Sequence, residues 1–225
     1  MPHWLGRSAW AALLVCIAHA SAAEDMPDAV GRVAPVNAAG DRVGTAICTG
    51  LLIAPDLVMT AGHCLPKRDG TATYAFEAGL SGAQSVAKAV GRIVQPITPR
   101  PDGPMKLDND LALLLLDVPI DPAIVAPIHL LANPGTADTV FFGYDRTTPD
   151  LPPAAKPCAL QAAWPTEAPR VLAFDCTVVS GNSGGPVLAR YNDEWALVAI
   201  MVARGTAPLA SFAVVPDRTL PSISK

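Results

Sequence analysis

From about residue 30 onward, the chain is a succession of short apolar runs, each cut off by glycine, proline, aspartate or asparagine. The runs are 47–53, 57–60, 90–94, 111–116, 140–144, 159–163, 171–176, 186–189, 195–202 and 212–215. With 23 Pro and 17 Gly in 225 residues, no stretch sustains a helical period, so long helices are excluded. Runs of this length between polar turns predict an all-β barrel or sandwich. Residues 111–116 are apolar at consecutive positions and read as a strand buried on both faces. Residues 147–157 are rich in Pro and Thr and read as an exposed loop. Pro119, Pro122, Pro127 and Pro134 interrupt the pattern and mark a boundary. The expected division is a 23–30 N-terminal segment, a first unit at 31–125 and a second at 126–225, each of a common domain size of roughly 100 residues.

The chain is 51% hydrophobic and only 16% charged, enough apolar mass for a sizeable core. A net charge of −4 with no basic run excludes nucleic acid as a partner class. The first 22 residues read as an export signal. Arg7 supplies the positive region, the apolar stretch 10–18 is too short to span a bilayer, and small residues follow at 20–23. A secreted or periplasmic location is therefore expected, with no membrane association once the signal is removed. Cys48, Cys64, Cys158 and Cys176 remain in the mature chain and read as two disulfides, with three pairings open. No Cys-x-x-Cys or His-x-x-x-His spacing supports a metal, and no cofactor is expected. His63 and His129 are the histidines left for chemistry.

Three segments carry chemistry. Thr60-Ala61-Gly62-His63-Cys64 sets a histidine beside a cysteine. Asp110 opens the run Leu111–Leu116. Gly181-Asn182-Ser183-Gly184-Gly185-Pro186 sets a serine among glycines. Serine is a poor nucleophile at neutral pH. It needs a base to take its proton, a carboxylate to orient that base, and donors for the oxyanion that develops. Asp108 competes with Asp110, because strand alternation would put both on one side, but Asp110 directly precedes the apolar run. His129, in Pro127-Ile128-His129-Leu130, reads as structural or exposed.

These blocks, with Asn109-Asp110-Leu111-Ala112-Leu113 as the middle one, resemble the signature blocks of the chymotrypsin/trypsin-like serine proteases, in the family's order, from about residue 30 to 220. The resemblance implies two six-stranded antiparallel barrels with the active site between them. It makes His63 the general base and then acid, Asp110 its orienting carboxylate and Ser183 the nucleophile that forms an acyl-enzyme. The backbone N–H groups of Gly181 and Ser183 become the oxyanion hole. It pairs Cys48 with Cys64 around the histidine loop, and Cys158 with Cys176, a bridge similar to one in bacterial relatives. The implied substrate is a protein or peptide. The oligomeric state is left open.

Two features depart from the digestive members. Those carry Asp before the nucleophile, where it meets a new N-terminal ammonium after activation. Asn182 has no charge for that ion pair, so no such zymogen switch is expected, and Gly31-Arg32-Val33 reads as a strand start. Asn at this position is similar to the bacterial glutamyl endopeptidases and the high-temperature-requirement proteases. Thr177, Val202, Ala203 and Arg204 are the candidate substrate-binding residues. Thr177 stands where an acid would select Lys or Arg, so such cleavage is excluded. Arg204 can select an acidic side chain; a small or medium apolar preference is equally open. Beside the secreted endopeptidase stand two alternatives: a catalytically silent, protease-like binding protein, and an esterase with the same triad.

Overall fold

The computed structural model describes Met1 and residues 26–65, 72–80, 84–95, 107–130, 138–163, 168–206 and 209–217. The expected signal segment beyond Met1 and the 23–25 part of the N-terminal segment lie outside the described residues. Among the described residues, no helix is long and apolar enough to cross a membrane.

The protein is all-β, as the breaker pattern requires. Six strands make the first half: β1 (Val30–Val36), β2 (Cys48–Ala54), β3 (Leu57–Ala61), β4 (Thr73–Ala78), β5 (Ala87–Gln95) and β6 (Leu111–Leu116). Their order, β1-β2-β3-β6-β5-β4, closes into a barrel because β1 pairs with both β2 and β4. The β2–β3 connection turns on Pro55-Asp56. β3 is buried at all five positions because it lies between β2 and β6. Leu52, Val58, Leu114 and Phe76 share one face of the barrel wall and are fully buried, as is Leu51 on the opposite face. Burying one such side chain stabilises the fold by roughly 1.5–3 kcal/mol.

The second half holds β7 (Thr139–Gly143), β8 (Ala154–Pro157), β9 (Leu160–Ala163), β10 (Val171–Phe174), β11 (Pro186–Tyr191), β12 (Glu194–Arg204) and β13 (Ser211–Val214). They form a curled seven-stranded sheet in the order β8-β7-β11-β12-β13-β10-β9. The expected sixfold count differs for a local reason. The strand that would close this barrel is split at Cys158-Ala159 into β8 and β9. Cys158 N–H still donates to Thr139 O at 2.9 Å on the β7 side. Ala159 N–H donates to Asp175 Oδ1 at 2.8 Å, and Asp175 N–H returns to Ala159 O at 3.1 Å, on the β10 side. One kinked segment thus hands its hydrogen bonding from one neighbour to the other. β11 and β12 meet in a tight hairpin at Asn192-Asp193, both with positive φ, which short polar side chains tolerate.

Three expectations need correction. Residues 154–157, expected within an exposed loop, form β8, because their backbone pairs with β7 although their side chains stay largely outside the core. β4 was not expected as a strand; Thr73, Ala75 and Glu77 dilute its apolar signal. Asp108 lies in a short turn before Asp110 rather than on a strand, so alternation does not apply to it. Its carboxylate instead takes Arg170 Nη2 at 3.1 Å, tying the second half to the segment that carries Asp110.

The two halves share packing. Phe142, Tyr144, Leu188, Leu197 and Ile200 of the second half join the apolar cluster of the first barrel. Phe141, Phe174, Val187 and Met201 lie in a separate cluster of the second half.

Candidate active site

His63 sits in a single 3-10 turn, Gly62–Cys64, where β3 ends. Two bonds hold that turn to the start of β6. Gly62 N–H donates to Asp110 O at 3.0 Å, and His63 N–H donates to Asp110 Oδ1 at 2.8 Å. The imidazole Nδ1 meets Asp110 Oδ2 at 2.7 Å. The Asp110 side chain is 3% exposed and that of His63 is 37% exposed. A carboxylate at this distance accepts, so in a neutral imidazole the proton sits on Nδ1 and the lone pair on Nε2.

Ser183 sits in a turn whose backbone is fixed on every side. Asn182, 1% exposed, is the turn's internal brace. Its Oδ1 accepts Val179 N–H at 2.9 Å and its Nδ2 donates to Tyr144 O at 2.8 Å. Gly181 and Gly184 hold φ of +101° and +82°. A Cβ at Gly181 would meet Arg146 N and Tyr144 O at 2.7 Å; one at Gly184 would collide with Thr49 O and Thr60 Oγ1. Glycine is required at both by conformation and by space.

The orientation of two amides follows from their peptide planes. Ser180 O accepts Arg146 N–H at 2.9 Å, and Asn182 O accepts Gly185 N–H at 2.9 Å. In a trans peptide the N–H points opposite to the C=O. Each bond therefore aims the next N–H, on Gly181 and on Ser183, the other way. Among the described residues neither of these N–H groups donates to a protein acceptor, whereas Gly184 N–H donates to Met201 O at 2.7 Å.

The serine turn docks on the first barrel beside the histidine. Thr49 N–H donates to Ser183 O at 2.8 Å, and Cys64 Sγ lies 3.7 Å from that oxygen. Thr49 is fully buried. Its hydroxyl donates to Gly181 O at 2.8 Å and accepts Tyr144 N–H at 2.9 Å, while Thr60 Oγ1 donates to Thr49 O at 2.7 Å. The Tyr144 phenol is pushed up to about 12 by burial, against the opposing hydrogen bond that Leu80 N–H gives it, so it stays neutral through the ordinary pH range.

A cavity of about 140 Å³ opens beside Ser183. Val178, Val179, Ser180, Met201, Val202, Ala203 and Arg204 complete its lining. The β12–β13 register shifts between Met201 and Ala203, a bulge that re-aims this wall. Of the candidate substrate-binding residues, Val202, Ala203 and Arg204 reach the cavity. Thr177 is exposed and is not part of its lining; its carbonyl accepts Lys156 Nζ at 3.1 Å. Val178, Val179, Ser180 and Met201 were not singled out from the sequence. Nor were Thr49 and Tyr144, whose trace there is a polar or amphipathic residue set in an apolar run.

Cys48 and Cys64 form one disulfide, with Cα atoms 6.0 Å apart, and Cys158 and Cys176 the other, at 4.8 Å. Cys48, His63 and Cys64 place possible ligand atoms within 4.8 Å of one another. The two sulfurs are bonded to each other, so they offer no thiolates to a metal. His129 is drawn into a separate surface groove, with Trp195, Ile124 and Pro27 among its walls, away from Ser183.

A family profile described as a trypsin-like peptidase domain matches residues 48–200. The chain belongs to the trypsin-like peptidase family. Human granzyme M is 31% identical over 109 residues, a match that covers 48% of this chain and 41% of the granzyme. The chain thus aligns with less than half the length of that relative. Among solved structures, a Glu endopeptidase matches with a TM-score of 0.58 at 18% identity, over 84% of each chain. The active form of the Rv3671c protease from M. tuberculosis gives 0.57 at 20%, over 84% of this chain and 75% of that one. The protease Anisep from Arthrobacter nicotinovorans gives 0.58 at 16%, over 84% and 90%. At such identities these structures share the peptidase's fold.

Proposed function

We propose that this trypsin-like peptidase is an exported serine endopeptidase using His63, Asp110 and Ser183. The observation that carries the reading is the pairing of His63 with a buried carboxylate beside a serine turn in which two N–H groups donate to no acceptor among the described residues. His63 Nε2 takes the Ser183 hydroxyl proton as Oγ attacks the carbonyl carbon of a peptide bond. The oxyanion settles against Gly181 N–H and Ser183 N–H. The imidazolium, steadied by Asp110, then protonates the leaving amine, and water reverses the sequence on the acyl-enzyme. This chemistry needs no cofactor.

The units 31–125 and 126–225 are proposed as the two walls of the substrate cleft, the first supplying His63 and Asp110 and the second Ser183. Export is supported by the N-terminal apolar segment and by two disulfides, which persist in oxidising compartments. The cavity supports an apolar side chain on the acyl side of the scissile bond. Val178, Met201 and Val202 are buried in its wall, and its size is near the ~150 Å³ that accommodates a benzene ring. Among the described residues no carboxylate lines it to receive Lys or Arg. Exposed Arg204 at the rim supports a second preference, for an acidic side chain.

A fluorophosphonate probe should label the native protein, and Ser183→Ala should abolish labelling. An unlabelled native protein would favour the silent binding protein. Labelling without hydrolysis of peptides, but with hydrolysis of esters, would favour the esterase. Profiling on a peptide library should return Leu, Met or Phe before the cut bond; dominant cleavage after Lys or Arg overturns the specificity reading.

A further inference from the structure

Arg32 is a nearly buried cation whose contacts cross from one half of the molecule to the other. It lies on β1 opposite Glu77 of β4. Its side chain is 6% exposed. One edge of the guanidinium is held by the barrel: Nε donates to Glu77 Oε2 at 2.8 Å, and Nη2 lies 2.7 Å from the same oxygen. The other edge reaches the second half: Nη1 donates to Pro149 O at 2.6 Å and to Asp150 Oδ1 at 2.9 Å. Burial by itself would lower this group's pKa. The hydrogen bonds and charges of Asp150 and Glu77 outweigh burial and raise it, so the cation persists.

The segment it grips leads directly to the oxyanion donors. Residues 145–151 are a chain of tight turns: Thr147 N–H and Oγ1 both donate to Asp145 Oδ1, Thr148 N–H donates to Asp145 O, and Leu151 N–H donates to Thr148 O. Such a segment moves as a piece. At its start, Arg146 N–H holds Ser180 O, the bond that aims Gly181 N–H, and Tyr144 O holds the Asn182 amide. If the segment drifts, the 180–181 peptide is free to turn and one oxyanion donor is lost.

We infer that Arg32 is a positioning residue that keeps the oxyanion hole formed by anchoring the 145–151 segment to the first barrel. The assignment rests on the hydrolase reading of Ser183 given above. It explains how the site is set although Asn182 has no charge to receive a new chain terminus. The cation that orders the site is already in the folded chain.

The test compares native protein with Arg32→Lys, Asp150→Ala and Lys88→Ala. Lysine cannot bridge Glu77 and Pro149 O with a planar fork, and Asp150→Ala removes the carboxylate contact of the loop while leaving the Pro149 O contact and the buried Arg32–Glu77 pair. Lys88 touches Glu77 at 3.5 Å on the side away from the loop, so Lys88→Ala is the control. For a peptide substrate, kcat should fall about tenfold in Arg32→Lys and by a smaller factor in Asp150→Ala, with KM nearly unchanged, below the ~10²–10³ of a deleted oxyanion donor. Affinity for a peptide boronate, which mimics the tetrahedral state, should fall in step with kcat, while affinity for a product peptide should hold. A role in folding alone would shift the melting point and leave these ratios intact. Native kcat and boronate affinity in both variants, or an equal loss in Lys88→Ala, overturns the inference. Fluorophosphonate labelling of the native protein separates the failures. Without it the hydrolase reading and this one fall together; with it, and with unaltered variants, only this one falls.

Discussion

Replacing Thr49 by valine probes the serine turn without touching a reacting group. Shape is nearly kept, so little cavity forms. The hydroxyl is lost, and with it the bonds to Gly181 O and from Tyr144 N–H, at 2.8 and 2.9 Å. Thr49 is wholly buried, so both backbone groups are left without a partner in a dry site. Each stranded group costs about 1–3 kcal/mol, so a loss of roughly 2–6 kcal/mol is expected from a total of about 5–15 for a domain. Thr49→Ser keeps the hydroxyl and removes one methyl, at about 1 kcal/mol. Urea titration should separate the two variants by roughly 1 M in midpoint, with unaltered slopes of about 2–3 kcal/mol/M. Fluorophosphonate labelling should slow in the valine variant by about tenfold, because the Gly181 carbonyl no longer restrains its turn, and stay near native in the serine variant. Equal midpoints for the two variants would refute the claim that this hydroxyl satisfies buried backbone.

Three further outcomes follow from the same geometry. Asp110→Asn should lower kcat by about 10⁴ in steady-state hydrolysis, because an amide can donate to Nδ1 and so stabilise the tautomer that lacks a lone pair on Nε2. The Tyr144 phenol is more acidic in the unfolded chain, near its ordinary value of 10, than in the fold at about 12, so the stability tied to its proton is complete below pH 10 and lost as pH rises through 12. That loss amounts to about 2–3 kcal/mol, and Tyr144→Phe should remove this part of the alkaline slope in denaturant titrations. Removing the Cys158–Cys176 bridge by a double serine substitution frees a loop of 18 residues and should cost about 3 kcal/mol, read as a lower melting temperature.

The parts of this protein that were legible from sequence are those whose chemistry is written over a few neighbouring residues. A histidine followed by a cysteine, an aspartate at the head of an apolar strand and a serine between glycines each need particular residue types at fixed local spacing. Gly181 was readable for the same reason; the need for glycine at Gly184 came only from the structure, where positive φ meets close-packed backbone. Ten of the thirteen strands were visible as apolar runs ended by turn residues, and β1 as a strand start at Gly31-Arg32-Val33. β4 and β8 were not, because their pairing rather than their composition makes them strands.

The sequence by itself determined an all-β chain with a candidate nucleophile, base and carboxylate in a recognisable order. Only the tertiary structure decided what holds them. Thr49 reaches Gly181 across 132 positions, Tyr144 across 95, and Arg32 reaches Pro149 across 117. Thr177 falls outside the cavity lining while Val178 and Met201 enter it. The reason is one of range. Strand periodicity and turn chemistry act between near neighbours and leave a mark in the order of residues. A buried hydroxyl or guanidinium is satisfied by whichever backbone the folded sheets bring beside it, and no local spacing records that.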